Sequence, residues 1–103
     1  VYIIVEQMPG FPGGEEALLK YISDHIEYPT MAVERGIEGR VTVRFVVNKD
    51  GYVQDVTVIR GVHELLDKEA VRVIQSLPRW NPGKQNGVAV AVYYNVPVNF
   101  TLQ

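Results

Sequence analysis

Hydrophobic residues occupy alternate positions from Val88 to Leu102, with Val88, Val90, Val92, Tyr94, Val96, Val98, Phe100 and Leu102 sharing one parity. A period of two marks a strand with one face on a core. At ~3.3 Å per residue the stretch would reach roughly 50 Å, far beyond the usual five or six residues. Pro97 lies inside it without disturbing the alternation. Proline has no N–H for a ladder, so such a strand belongs at a sheet edge or a bulge. A long strand with an open side is a liability or a dock. In a regular strand the N–H groups of Tyr93, Asn95, Asn99 and Thr101 lie on the side of Pro97, so a partner is expected there, with a gap at the proline.

Other periods appear upstream. Val1–Glu6 is expected as a short strand, followed by the breaker-rich run Met8-Pro9-Gly10-Phe11-Pro12-Gly13-Gly14, in which Phe11 is expected to plug a groove. Glu15 and Glu16 open a helix, where acidic side chains suit the positive end of the dipole. Leu18, Tyr21, Ile22, His25 and Ile26 share its apolar face, and Tyr28-Pro29 ends it. Thr30 is placed to cap a short second helix reaching Val33–Arg35, with Gly36 as its left-handed exit. Gly39–Val47 is a strand carrying Val41, Val43, Phe45 and Val47 on one face and Arg40, Thr42 and Arg44 on the other. Asn48-Lys49-Asp50-Gly51 turns the chain back as a hairpin. In the returning strand, Tyr52–Ile59, Val56 and Val58 share a face with Gln54 while Val53 and Ile59 have the opposite parity. A bulge near the hairpin, or partial cover on both faces, would account for this. A further helix is expected over Leu65–Ser76, with Leu66, Ala70, Val73, Ile74 and Leu77 as its apolar stripe and Asp67 and Glu69 near its N-terminal end. Pro78–Gly83 ends it, and Asn86-Gly87 leads into the long strand.

This order predicts an α+β fold: a small antiparallel sheet, made of the hairpin and the long C-terminal strand, covered on one face by helices. At 103 residues one domain is expected over 1–103, with 1–27 as an N-terminal strand and helix extension and 28–103 as the core. A hydrophobic content of 47% with 21% charged residues fits a folded domain and argues against disorder. A net charge of −2 gives no reason to expect nucleic acid as a partner. No run approaches the ~20 apolar residues of a membrane span, and no signal peptide is visible. A chain beginning at Val1 is expected to be a piece of a longer protein, leaving room for an anchor or export signal upstream. The absence of cysteine removes disulfides and thiolate chemistry but suits either redox environment.

Candidate chemistry is sparse. His25 and His63 lack metal spacing, the acidic residues are accounted for by caps, turns and solvated faces, and Ser23 and Ser76 lie in helical patterns. The glycines of PGFPGG lack the lysine and the strand–loop–helix setting of a phosphate loop. No cofactor or metal site is expected, and an enzyme is not. Trp80, the single tryptophan, is expected chiefly as an anchor between helix and sheet, with partner contact as the lesser alternative. Tyr93 leaves the core face by parity and is the leading surface aromatic.

Ordered pieces of the chain resemble the TonB C-terminal domain family. They are Tyr28-Pro29, Ala32, Gly36-Ile37 and Gly39 leading into Val41-x-Val43-x-Phe45-x-Val47. Asp50-Gly51-x-Val53, Val56-x-Val58, Asp67-x-x-Ala70, Pro78-x-Trp80-x-Pro82-Gly83 and Val96-Pro97-Val98-x-Phe100 follow. Glu6-Gln7-Met8-Pro9-x-Phe11-Pro12-Gly13-Gly14 resembles an extension found in one branch of that family. The resemblance implies a periplasmic binding domain of an energy transducer in a Gram-negative envelope, attached elsewhere to an inner-membrane anchor that couples to a proton-driven motor complex. It further implies that the TonB box of an outer-membrane transporter is added as a strand beside Val88–Leu102. The partner-binding residues are then expected to be Tyr93, Asn95, Val96, Pro97, Asn99 and Thr101, with Arg40, Arg44, Arg79 and Trp80 as helpers. No clear equivalent is present of the Gln-Pro pair of the family's transporter-contacting loop, and Val1–Glu6 is a candidate occupant of the docking edge. The alternative reading is a structural or self-association module of an envelope protein, whose edge strand pairs with a second copy as a homodimer.

Overall fold

The computed structural model describes residues 1–102. In chain order it contains α1 (Glu15–His25), α2 (Thr30–Glu34), β1 (Gly39–Val47), β2 (Val53–Arg60), α3 (Glu64–Gln75), β3 (Gly83–Gln85), β4 (Val88–Val90) and β5 (Val92–Phe100). The expected α+β architecture is present: an antiparallel sheet of order β2-β1-β5, with helices over one face. Val41, Val43, Phe45 and Val47 of β1 and Val96, Val98 and Phe100 of β5 face Leu66, Ala70, Val73 and Ile74 of α3 in a single core. Leu18 and Ile22 of α1 and Ala32 of α2 close it from the side. No described helix is long and apolar enough to cross a membrane.

Local chemistry explains most boundaries. α1 ends at His25, earlier than its apolar stripe, because Ile26 is already extended on the approach to Tyr28-Pro29. Gly36 exits α2 at φ 65°, and the Ile37 amide reaches back to the Ala32 carbonyl at 2.9 Å. His63 caps α3, its Nδ1 accepting from the Leu65 amide at 3.1 Å. At the β1–β2 hairpin the Asn48 side chain accepts from the amides of Asp50 and Tyr52. Gly51, at φ 91°, lies so close to the Trp80 carbonyl that a Cβ would fall 2.1 Å from its oxygen. The hairpin tip is thereby seated on the segment after α3.

β2 resolves the parity question in favour of bulges. Its register against β1 slips twice, between Thr42 and Val43 and between Arg44 and Val46. Asp55 takes φ 53° in the second slip. The extra residues leave Val53, Val56 and Val58 half-buried against the core.

Two expectations about the strands fail. Val88–Leu102 is not one strand: β4 pairs with β3, β5 pairs with β1, and Ala91 belongs to neither. Asn86 and Gly87, at φ 53° and 77°, close a tight β3–β4 hairpin, so the chain must change partners before β1 is available at Val92. Val88 is therefore exposed although it shares the parity of the buried Val92. Val1–Glu6 is not a strand either. It touches β5 through one parallel bridge, Tyr2 to Val92, and bends away at Ile3 and Ile4. The segment then follows β3, with Gln7 bridging Lys84 and Gly10 bridging Asn81. We call residues 1–12 the strap. Gly83 leaves room for it, since a Cβ there would lie 2.8 Å from Val92 Cγ2 and 3.1 Å from the Gln7 carbonyl.

Candidate functional site at the outer edge of the last strand

A three-stranded sheet has two edges, and here they differ. β2 is bulged twice, which twists an edge out of shape for a further strand. β5 pairs with β1 without a slip from Phe100 to Val92. Its outer side is identified by the Tyr93 amide, which donates to the Tyr2 carbonyl at 2.9 Å and so points away from β1. By alternation the main-chain groups of Asn95, Pro97 and Asn99 point the same way. Pro97 thus spends its missing N–H on the side where no strand lies, as its place in the sequence required. Beyond Tyr2, the Tyr93 carbonyl, both groups of Asn95, the Pro97 carbonyl and both groups of Asn99 carry no hydrogen bond among the described residues.

Two hollows flank this row. The first, of about 350 Å³, is lined by Ile3 and Met8 of the strap and by Arg44, Tyr93, Tyr94 and Asn95. The second, of about 260 Å³, lies between α1 and the strand, with Leu19, Ile22, Ser23 and Ile26 facing Pro97 and Asn99. On the uncovered face, the Arg44 guanidinium sits 4.7 Å from the Tyr93 ring centre and Arg40 Nε donates to Asn99 Oδ1 at 3.0 Å. Burial, together with the Glu15 charge, pushes the Tyr94 hydroxyl above its ordinary value beside the first hollow. Among the described residues no group of three or more His, Asp or Glu side chains is arranged to hold a metal.

The profile of the Gram-negative bacterial TonB protein C-terminal family matches residues 24–102. The chain belongs to that family. A Helicobacter pylori protein TonB is 34% identical over 80% of this chain, and a Pseudomonas aeruginosa protein TonB is 39% identical over 62%. The chain spans only 28% of the first relative and 19% of the second. The solution structure of the Helicobacter pylori TonB C-terminal domain superposes with a TM-score of 0.66 at 30% identity, covering 85% of this chain and 92% of that one. The Pseudomonas aeruginosa TonB C-terminal domain gives 0.55 at 31% identity, over 75% and 80%. These likenesses are those of a TonB C-terminal domain.

Within this TonB C-terminal fold the residues expected at the site divide. Tyr93, Asn95, Pro97 and Asn99 lie together on the outer edge, although the Tyr93 amide is already taken by Tyr2. Thr101 lies just past the end of β5. Val96 is 3% exposed with its side chain in the core, and its main-chain groups, by the same alternation, face β1. It has nothing to offer a partner. Arg40 and Arg44 border the edge, whereas Arg79 is engaged at the β1–β2 hairpin, where Nε donates to the Asp50 carbonyl at 2.7 Å. Trp80 is 2% exposed, packed edge-on against Phe11, Phe45 and Tyr94. The anchor reading of Trp80 is correct and the helper reading is not, because a closed aromatic cluster leaves no face for a partner.

The hollow-lining Ile3, Met8, Leu19 and Ser23 are not legible in the sequence. Met8 lies in a run that reads only as a loop, and Leu19 falls off the helical stripe, so neither carries a local signal.

Proposed function

We propose that this domain docks an extended segment of an outer-membrane transporter, its TonB box, as a strand along the outer edge of β5. The domain would belong to an inner-membrane-anchored, periplasm-facing energy transducer that passes on work from a proton-driven motor complex. The observation that carries the reading is the unslipped β5 edge, whose hydrogen-bonding groups, from the Tyr93 carbonyl through Asn95 and Pro97 to Asn99, have no partner among the described residues. Strand addition takes affinity from main-chain bonds and specificity from side-chain pockets. At about 1 kcal/mol net per bond, filling that row supplies roughly 6 kcal/mol before ordering costs. A micromolar complex needs about 8 kcal/mol, so burial in the two hollows has to contribute. A strand pulled along its own length loads its bonds in shear, which suits force transmission.

Titrating a TonB-box peptide into the ¹⁵N-labelled domain tests this. The amides of Asn95 and Asn99 are expected to shift most, and the bulged strand β2 to stay quiet. A domain that ignores millimolar peptide while forming a stable dimer at micromolar concentration would instead be a self-association module.

A further inference from the structure

The strap meets the docking edge at one end, which raises the question of whether it blocks the site or builds it. Only Tyr2 forms a bridge to β5, and the chain bends at Ile3 and Ile4, so the row from Asn95 to Asn99 stays uncovered. The strap is held elsewhere. Its Gln7 exchanges two backbone bonds with Lys84, 3.1 and 2.8 Å, and Gly10 exchanges two with Asn81, 3.0 and 2.9 Å. The Glu6 amide donates to Gln85 Oε1 and the Asn86 amide donates to Glu6 Oε1. Val5 and Phe11 are buried beneath it. A segment fastened at so many points is an unsuitable plug, because a partner would have to break those bonds to enter. The same fastening makes it a good wall. Ile3, 73% exposed, and Met8, 43% exposed, stand on one side of a hollow whose other side is formed by Tyr93, Tyr94 and Asn95 of the edge itself.

We propose that the strap supplies half of a specificity pocket for the docked strand, taking one bulky aliphatic or aromatic side chain between Ile3, Met8, Tyr93 and Tyr94. This rests on the docking reading above and deepens it. The occupant is an extended chain because the hollow opens beside the unpaired main-chain groups of Asn95, which only a second backbone can satisfy in series. It is apolar because the walls are an isoleucine, a methionine and two aromatic rings. Arg44, held over the Tyr93 ring, lies at the rim. The volume, about 350 Å³, sits at the small end of the ~300–1,000 Å³ typical of ligand sites, enough for a side chain but not for a second chain. Methionine suits such a wall, being unbranched and able to fit different shapes. Tyr2 then sets the limit of the added strand, since it already holds the Tyr93 amide.

Methionine methyl NMR gives a direct test, because Met8 lines the hollow while Met31, 49% exposed on α2, serves as an internal reference. On adding a TonB-box peptide to the ¹³C-methyl-methionine domain, the Met8 signal is expected to move with the Asn95 and Asn99 amides and Met31 to stay. The double variant Ile3→Ser/Met8→Ser, altering only partly or largely exposed side chains, is expected to keep its thermal midpoint. Its peptide affinity should fall roughly tenfold, about 1.4 kcal/mol. Replacing the peptide's bulky apolar residues with alanine one at a time should cost as much at one position in the parent and little in the double variant. Amide shifts at Asn95 and Asn99 with an unmoved Met8 methyl would overturn the pocket and leave the docking edge standing. Tighter binding by the double variant would overturn it in favour of a blocking strap. Absence of any response at the edge would remove the docking reading, and the pocket with it.

Discussion

At the residue scale the most consequential side chain away from the outer edge of β5 is Glu69. It lies on α3 but is 8% exposed, its carboxylate accepting from Arg72 Nε at 2.6 Å and Nη2 at 2.7 Å, and from the Glu27 amide at 2.5 Å. Arg72 Nη2 also donates to the His25 carbonyl at 2.9 Å. The pair therefore clamps the α1–α2 connection onto α3. Burial pushes the Glu69 carboxyl up, but the Arg72 hydrogen bonds, the Glu27 amide and the Arg72 charge outweigh it, and its pKa lies below the ordinary 4.5. A depressed folded-state value means that the stabilisation is complete above pH 4.5 and is lost as pH falls from there through the folded value. Glu69→Gln should lose about 1–3 kcal/mol at neutral pH and flatten the acid limb of stability against pH. Urea unfolding from pH 3 to 7 checks both; an unchanged acid limb would mean that the clamp is idle. In sequence Glu69 reads as a helix-start acid, because its spacing to Arg72 is that of any surface pair.

At the element scale the contrast between the two edge strands carries the functional argument. β2 protects itself by bulging and β5 by a proline. Pro97→Val restores an N–H to the outer row without entering the core, since Pro97 is exposed. The variant is expected to keep its thermal midpoint within a few degrees and to self-associate at concentrations where the parent is less associated. Sedimentation velocity across a concentration series measures this. Unaltered association would show that the proline is not what guards the edge. The break at Ala91 belongs to this scale too. Residues 88–102 are a single period in sequence, yet two different strands claim its two parts, and a period of two says nothing about which strand lies alongside.

For the whole molecule, Phe11 joins the strap and α1 to a segment that is distant in sequence. Its ring lies 5.4 Å from that of Trp80 and 6.0 Å from that of Tyr21, locking the strap against α1 and the segment after α3. Truncating a buried phenylalanine costs about 3–5 kcal/mol in a core; at 8% exposure the lower figure is expected for Phe11→Ala, a large part of a domain's ~5–15 kcal/mol. Ile4→Ser, at a position 80% exposed, should stay within ~0.5 kcal/mol of the parent. Comparable losses in the two variants on urea unfolding would mean that the strap is not anchored through Phe11.

The sequence by itself determined the α+β class, the alternating core faces of β1 and β5, the Asp50-Gly51 hairpin and the side of the strand on which Pro97 lies. Each follows from spacing within a few residues: a period of two, a helical stripe, a turn dipeptide, a missing N–H. Only the tertiary structure decided that Val88–Val90 leaves for a second sheet, that Trp80 is closed off, that the strap lies beside the outer edge of β5 and that Glu69 is a buried clamp. Those outcomes depend on which distant segment arrives alongside: β3 against β4, Phe11 against Trp80, Met8 beside Tyr93, Glu27 over Glu69. Local pattern says which face of an element is apolar, but what covers that face is settled by the packing of the entire chain.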